Sequence, residues 1–173
     1  MPRVYLGIGS NHQAQEQLAA ALDALLLQFH DLALSPVFAS EAEGGNGTPY
    51  LNLVAAIDTE LTPGALQEWL KQLETKLGRQ ASTLPAGAVN IDLDLLTYGK
   101  LQGRVEGVQL PRPDFTRFAY VLWPLAILAP KEKHPQLQRT YAELWQDFAP
   151  NQAKIRPIDF IWHERRISSG API

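Results

Sequence analysis

Hydrophobic residues change period several times along the chain, and each change marks an element. Val4, Leu6 and Ile8 alternate with Tyr5, Gly7 and Gly9, the period-two pattern of a half-buried strand. The pattern stops at Gly9-Ser10-Asn11, where Ser10 or Asn11 is placed to cap a following helix. Leu18, Leu22, Leu25, Leu26 and Phe29 then recur at helical spacing, with polar Gln15, Glu16 and Asp23 elsewhere. A second strand is expected over residues 32–40, with Pro36 restricting it to an edge or a bulge. Turn formers from Glu43 to Pro49 make a loop, and a third strand runs from Tyr50 to Ile57. Thr62-Pro63 opens a second helix with Pro in the first turn, where its missing N–H costs nothing. Its stripe is Leu66, Trp69, Leu70, Leu73 and Leu77, ending at Gly78. Residues 79–90 carry Pro85 and Gly87 without periodicity and read as a mobile loop, and Ile91 to Leu96 reads as a fourth strand. Gly99, Gly103 and Gly107 point to a hairpin, followed by a third helix from about Asp114 to Leu128.

The order β-α-β-β-α-β predicts an α+β, ferredoxin-like fold: an antiparallel sheet with helices on one face. A C-terminal extension follows Pro130, with a short helix around Tyr141, Leu144, Trp145 and Phe148 and a terminal strand from Ile155 to Trp162. Neither a repeat nor a linker interrupts the chain, so residues 1–173 are expected to form one domain. Lys and Arg number 15 against 18 Asp and Glu, a formal charge of −3 that supplies no basic surface for nucleic acid. No apolar run reaches the ~20 residues of a membrane span. The first residues show no signal-peptide layout, so a cytoplasmic protein without a membrane partner is expected. The absence of Cys excludes disulfides, Cys-ligated zinc and thiol catalysis. His12, His30, His134 and His163 lack metal-ligand spacing and read as ordinary surface residues. No Ser lies in a nucleophile elbow, which leaves acyl transfer without support.

The sharpest chemical feature is Asp92-Leu93-Asp94. On a strand, residues i and i+2 share a face, which puts the two carboxylates ~6–7 Å apart. Such a pair repels unless a cation lies between, and Mg²⁺ prefers oxygens of this kind. Held this way, Mg²⁺ neutralises charge on a triphosphate in phosphoryl transfer. A solvated acidic strand face would show the same D-x-D, and the residues alone leave both readings open. Gly9-Ser10-Asn11 at a strand-to-helix turn can offer N–H groups to an anion or be a plain turn with a cap. Tyr50 and Asn52, also i and i+2, make an aromatic platform beside an amide, which suits a flat heterocycle. A Tyr–Asn pair on a half-buried sheet is the alternative.

In order and spacing, several segments together resemble the 6-hydroxymethyl-7,8-dihydropterin pyrophosphokinase family of folate biosynthesis. The segments are Tyr5-Leu6-Gly7-Ile8-Gly9-Ser10-Asn11, Tyr50-Leu51-Asn52, Glu74…Gly78-Arg79, Asn90-Ile91-Asp92-Leu93-Asp94-Leu95-Leu96-Thr97-Tyr98-Gly99, and Tyr120 to Pro130. The resemblance spans about residues 2–130 and leaves 131–173 as a tail. It implies transfer of pyrophosphate from ATP to the pterin hydroxymethyl oxygen, with release of AMP. It also implies that Asp92 and Asp94 ligate two Mg²⁺ ions, that Tyr50 and Tyr120 sandwich the pterin, and that Asn52 bonds its edge. Ser40 stands where the family has a pterin-contacting Thr. Glu74, Arg112 and Arg117 fall at or beside nucleotide-side positions, and Arg79 joins the two aspartates as a catalytic candidate. ATP and a pterin are the expected partners, and a monomer the expected state.

The chain departs from the family pattern around the triphosphate. Its W-G-P-R lead-in reads Ala86-Gly87-Ala88-Val89, another loop Arg is Ala81, P-H-P reads Pro111-Arg112-Pro113, and an Arg position holds Phe118. Loop 41–49 lacks the family's E-T-x-P and begins Glu41-Ala42-Glu43. Arg79, Arg104, Arg112 and Arg117 are the guanidinium groups available as substitutes. An active, divergent transferase is the first expectation. A pterin- or nucleotide-binding homologue with impaired transfer is the second.

Overall fold

The computed structural model describes residues 1–41, 49–79, 90–148 and 154–170. In chain order the elements are β1 (Arg3–Ser10), α1 (Ala14–Phe29), β2 (Ala33–Leu34), β3 (Phe38–Ser40), β4 (Tyr50–Asp58) and α2 (Pro63–Arg79). There follow β5 (Asp92–Tyr98), β6 (Gly103–Val105), β7 (Val108–Leu110), α3 (Ala119–Leu128), α4 (Tyr141–Asp147), β8 (Ile155–Pro157), β9 (Phe160–Trp162) and β10 (Arg165–Ser168). The sheet runs β5-β1-β4-β3-β8, with β2 also on β4, and every pairing in it is antiparallel. No helix among the described residues is long and apolar enough to cross a membrane.

Alternation along the strands decides which face each residue takes. Val4, Leu6 and Ile8 of β1 join Leu51, Leu53, Ala55 and Ile57 of β4 in one core, under the leucines of α1 and α2. The two helices of the βαββαβ unit therefore share one face, as the element order predicts. The opposite face is covered in addition by the later helices: Tyr5, Val54, Ala56 and Leu96 pack against Leu122, Leu125 and Ala126 of α3 and Tyr141 of α4. A bulge in the β1–β5 register lies between these regions, with Tyr5 opposite Thr97 and Leu6 opposite Leu95.

Five local expectations are corrected. Ser10 does not cap α1; it is fully buried at the end of β1, its hydroxyl donating to the Asn90 carbonyl, and Gln13 is the capping residue without a side-chain bond. The strand expected over 32–40 is two pieces, β2 and β3. Ser35 separates them, accepting at its hydroxyl from Val54 N–H (2.8 Å) ahead of Pro36, which has no N–H to give. The third helix is interrupted: a 3₁₀ turn (Phe115–Arg117) and an extended Phe118 precede α3. The terminal strand from Ile155 to Trp162 is likewise divided, because β8 pairs with β3 while β9 turns to pair with β10. Ser168 fastens this extension to the core, its hydroxyl accepting from Val37 N–H at 2.8 Å. His134 is also not a surface residue: it is buried, accepting at Nδ1 from the N–H groups of Gln136 and Leu137.

Candidate active site

The face of β1 turned away from α1 and α2 carries Gly7 and Gly9, and their lack of side chains shapes the site. Gly9 lies opposite Asn52 on one side and Asp92 on the other, and Gly7 opposite Val54 and Asp94. Asn52 and Asp92 are thus two strand spacings apart, about 10 Å, with bare backbone between them. A methyl group on Gly9 would fall against the Asn52 side-chain oxygen, inside contact distance. The result is a shallow trough with an amide along one wall and carboxylates along the other. Tyr50 lies on the Asn52 side and pairs with Ser40 of β3, so Ser40 and Tyr50 share this face. Phe38, opposite Asn52, is buried against the Trp123 ring at 4.8 Å, which supports the floor from β3.

Tyr120, in the first turn of α3, reaches the same place. Burial chiefly, and then the negative charges of Asp94 and Asp92, push its hydroxyl pKa up, with Arg112 opposing and Tyr50 adding to the rise. Burial and the Asp92 charge likewise raise Tyr50. Tyr120 thus lies within electrostatic range of Asp92, Asp94, Arg112 and Tyr50, and Tyr50 within range of Asp92. Arg112 reaches Asp94 directly, Nη1 to Oδ1 at 3.3 Å. Burial and Asp92 raise the Asp94 pKa, and Arg112 counters them. Glu74 comes from α2 on the other side of β5. Its pKa is pushed up to about 7 by burial first, then by Asp92 and Asp94, against a hydrogen bond from Leu93 N–H and the Lys71 charge.

Other expected members lie apart from these residues. Arg117 is largely exposed and pairs with Asp114 at 3.6 Å. Arg104 donates to the Gly107 carbonyl at 3.2 Å, within the β6–β7 turn. Arg79 ends α2, and its side chain lies outside the described residues, as do 80–89 with the departures at 81, 86, 88 and 89. The loop from Glu43 to Thr48 is outside them as well.

Asp92 and Asp94 fit a Mg²⁺ site by their chemistry: hard oxygens on one strand face, with burial and the Asp92 charge raising the Asp94 pKa even against the Arg112 charge. The described residues offer this pair rather than a closed cage of three or more ligands. That is the donor set by which Mg²⁺ is usually held, one or two carboxylates with the remaining positions left to phosphate and water oxygens.

Residues 5–130 match the family model for 7,8-dihydro-6-hydroxymethylpterin-pyrophosphokinase, HPPK. The chain belongs to the HPPK family. A Pseudomonas aeruginosa 2-amino-4-hydroxy-6-hydroxymethyldihydropteridine pyrophosphokinase is 37% identical over 137 residues, 77% of this chain and 84% of its own length. The protein of the same name from Haemophilus influenzae is 33% identical over 162 residues, 91% of this chain and 100% of that one. Among solved structures, HPPK-DHPS in complex with substrates superposes with TM-score 0.74 at 10% identity, over 97% of this chain and 50% of that one. That likeness is one of fold, and this chain spans about half the length of the HPPK-DHPS chain.

Within the HPPK family frame, two features of this site escaped sequence reasoning. One is the glycine floor. Its signal was present, because Gly7 and Gly9 occupy the i and i+2 positions opposite to Leu6 and Ile8, but only the register shows what they face. The other is Phe118. It stacks on Tyr120 with ring centroids 5.4 Å apart and 29° between planes, both residues partly exposed. Phe118 stands at an Arg position of the family pattern, so an aromatic brace replaces a cation there.

Proposed function

We propose that the trough between Asn52 and Asp92 is where this member of the HPPK family brings its two substrates together. The carrying observation is that Asp92 and Asp94 share one strand face and lie across a glycine floor from Asn52 and Tyr50, within electrostatic reach of Tyr120. As a family member, the protein is an ATP-dependent diphosphotransferase that makes the pyrophosphorylated pterin and AMP in folate synthesis. The pterin hydroxymethyl oxygen gives up its proton to solvent and forms a bond to the β-phosphorus of ATP, and the bond from that phosphorus to the α,β-bridging oxygen breaks, its electron pair leaving with AMP. ATP is the co-substrate and Mg²⁺ accompanies it.

In the proposed arrangement, Tyr50 and Tyr120 hold the pterin between their rings while Asn52 hydrogen-bonds its edge and Ser40 lies beside Tyr50. Asp92 and Asp94 would hold two Mg²⁺ ions, which supply charge neutralisation on the triphosphate. Glu74, Arg112 and Arg117 are assigned to the nucleotide side, and Arg79 to catalysis with the aspartates. No covalent intermediate is needed: fixing the hydroxymethyl oxygen against the β-phosphate lowers the barrier by orientation, and fixed charges lower it further. The whole chain acts as one domain, a monomer in the cytoplasm, without a nucleic-acid or membrane partner.

The test is AMP formation from MgATP, followed by chromatography with and without 6-hydroxymethyl-7,8-dihydropterin. AMP that depends on the pterin supports transfer. Folded protein that binds the pterin and releases no AMP would leave only the binding role.

A further inference from the structure

Arg112 is held where its charge has two possible customers. Its backbone N–H donates to the Leu96 carbonyl at 2.8 Å, and Pro111 and Pro113 flank it, so its Cα is fixed beside β5. Its guanidinium, about half exposed, contacts Asp94 through one nitrogen at 3.3 Å. A single-point, half-solvated pair of this kind is weak and easily exchanged. A long side chain on a fixed backbone can therefore turn from Asp94 toward the open mouth of the trough without any movement of the sheet. There it would meet phosphate oxygens, for which a guanidinium has matching geometry.

We propose that Arg112 is a resident counter-ion that holds positive charge on Asp94 while the site is empty and transfers to the triphosphate when Mg²⁺-loaded nucleotide arrives. This rests on the reading of Asp92 and Asp94 as the metal carboxylates. The exchange gives Arg112 opposite effects on two ligands. In the empty protein it competes with a cation for Asp94, and in the nucleotide complex it adds a bond that the empty protein lacks. It also supplies, from the β7–α3 connection, a cation of the kind that the pattern around residues 81 and 89 no longer encodes.

Mn²⁺ binding without nucleotide, read by electron paramagnetic resonance, separates the two effects. Arg112→Ala should bind Mn²⁺ about two- to fivefold more tightly than the native protein. The same variant, saturated with Mn²⁺, should bind the α,β-methylene analogue of ATP about tenfold more weakly. Arg112→Lys, which keeps the charge, should lie close to the native protein for Mn²⁺. Unchanged or weaker Mn²⁺ binding by Arg112→Ala, or unchanged analogue affinity, overturns the proposal. Asp92→Asn and Asp94→Asn distinguish the levels. If both leave Mn²⁺ binding intact, the carboxylate reading itself falls. If they abolish it while Arg112→Ala moves neither ligand, only the counter-ion inference falls.

Discussion

Replacing Glu74 by Gln should stabilise the metal-free protein at alkaline pH and remove part of its pH dependence. Glu74 is half-buried on α2 within electrostatic reach of both aspartates, and its pKa stands at about 7 against an ordinary 4.5. A group whose pKa is raised on folding contributes its full stability below the unfolded value and loses it as pH rises through the folded value. The native protein should therefore weaken between about pH 4.5 and about pH 7, where folding forces a third negative charge beside Asp92 and Asp94. A rise from 4.5 to about 7 is worth about 3 kcal/mol if felt in full. Solvent screening at a half-buried site reduces that to about 1.5 kcal/mol. Glutamine keeps the shape of the neutral acid and can still accept from Leu93 N–H, so it removes only the charge. The assay is urea unfolding at a series of pH values from 5 to 8.5, in chelator, for native protein and Glu74→Gln. Titrations common to both proteins cancel in the difference. That difference should grow by about 1.5 kcal/mol in favour of Glu74→Gln across the series. Mg²⁺ added at pH 8 should narrow it, since a cation on the aspartates relieves the same repulsion. Parallel stability curves for the two proteins would refute the reasoning.

Two further substitutions probe the trough walls. Gly9→Ala places a methyl group against the Asn52 side-chain oxygen, so it should cost about 1–3 kcal/mol of stability and weaken pterin binding, both measurable by thermal unfolding with and without the pterin. Phe118→Ala removes the ring that braces Tyr120 and should weaken pterin binding about two- to tenfold with little change in melting temperature. Phe118→Tyr should restore the affinity. Equal pterin affinity in Phe118→Ala would remove the brace, and equal affinity in Tyr120→Ala would remove the stacking assignment itself.

The sequence carries the layers of this fold well because strand alternation is a local signal. Val4, Leu6 and Ile8 announce the helix-covered face, and so assign Gly7 and Gly9 to the other. The D-x-D spacing likewise announces two carboxylates on one face, and the register then sets them opposite Gly9 and Gly7. What stayed hidden depends on partners distant in sequence. Ser35 splits one expected strand because its hydroxyl meets Val54 N–H, and the hydroxyl of Ser10 is drawn away from capping to the Asn90 carbonyl. The extension could not be placed from its own weak pattern, since β8 is ordered by pairing with β3 and Ser168 by bonding to Val37. The Arg112–Asp94 contact joins residues with no mutual signature in sequence. His134 is buried by Phe115 and Tyr141, packing that a lone histidine in a tail does not reveal.

The central claim is that Asp92 and Asp94 drive transfer while the pterin is held elsewhere in the trough. Its most direct measurement is pterin affinity and AMP release, determined on the same preparations of native protein, Asp92→Ala and Asp94→Ala. The account predicts native-like pterin affinity in both variants and AMP release lowered by at least about a thousandfold, the scale expected when a site loses the charge stabilisation of its transition state. Either variant releasing AMP at the native rate would contradict it.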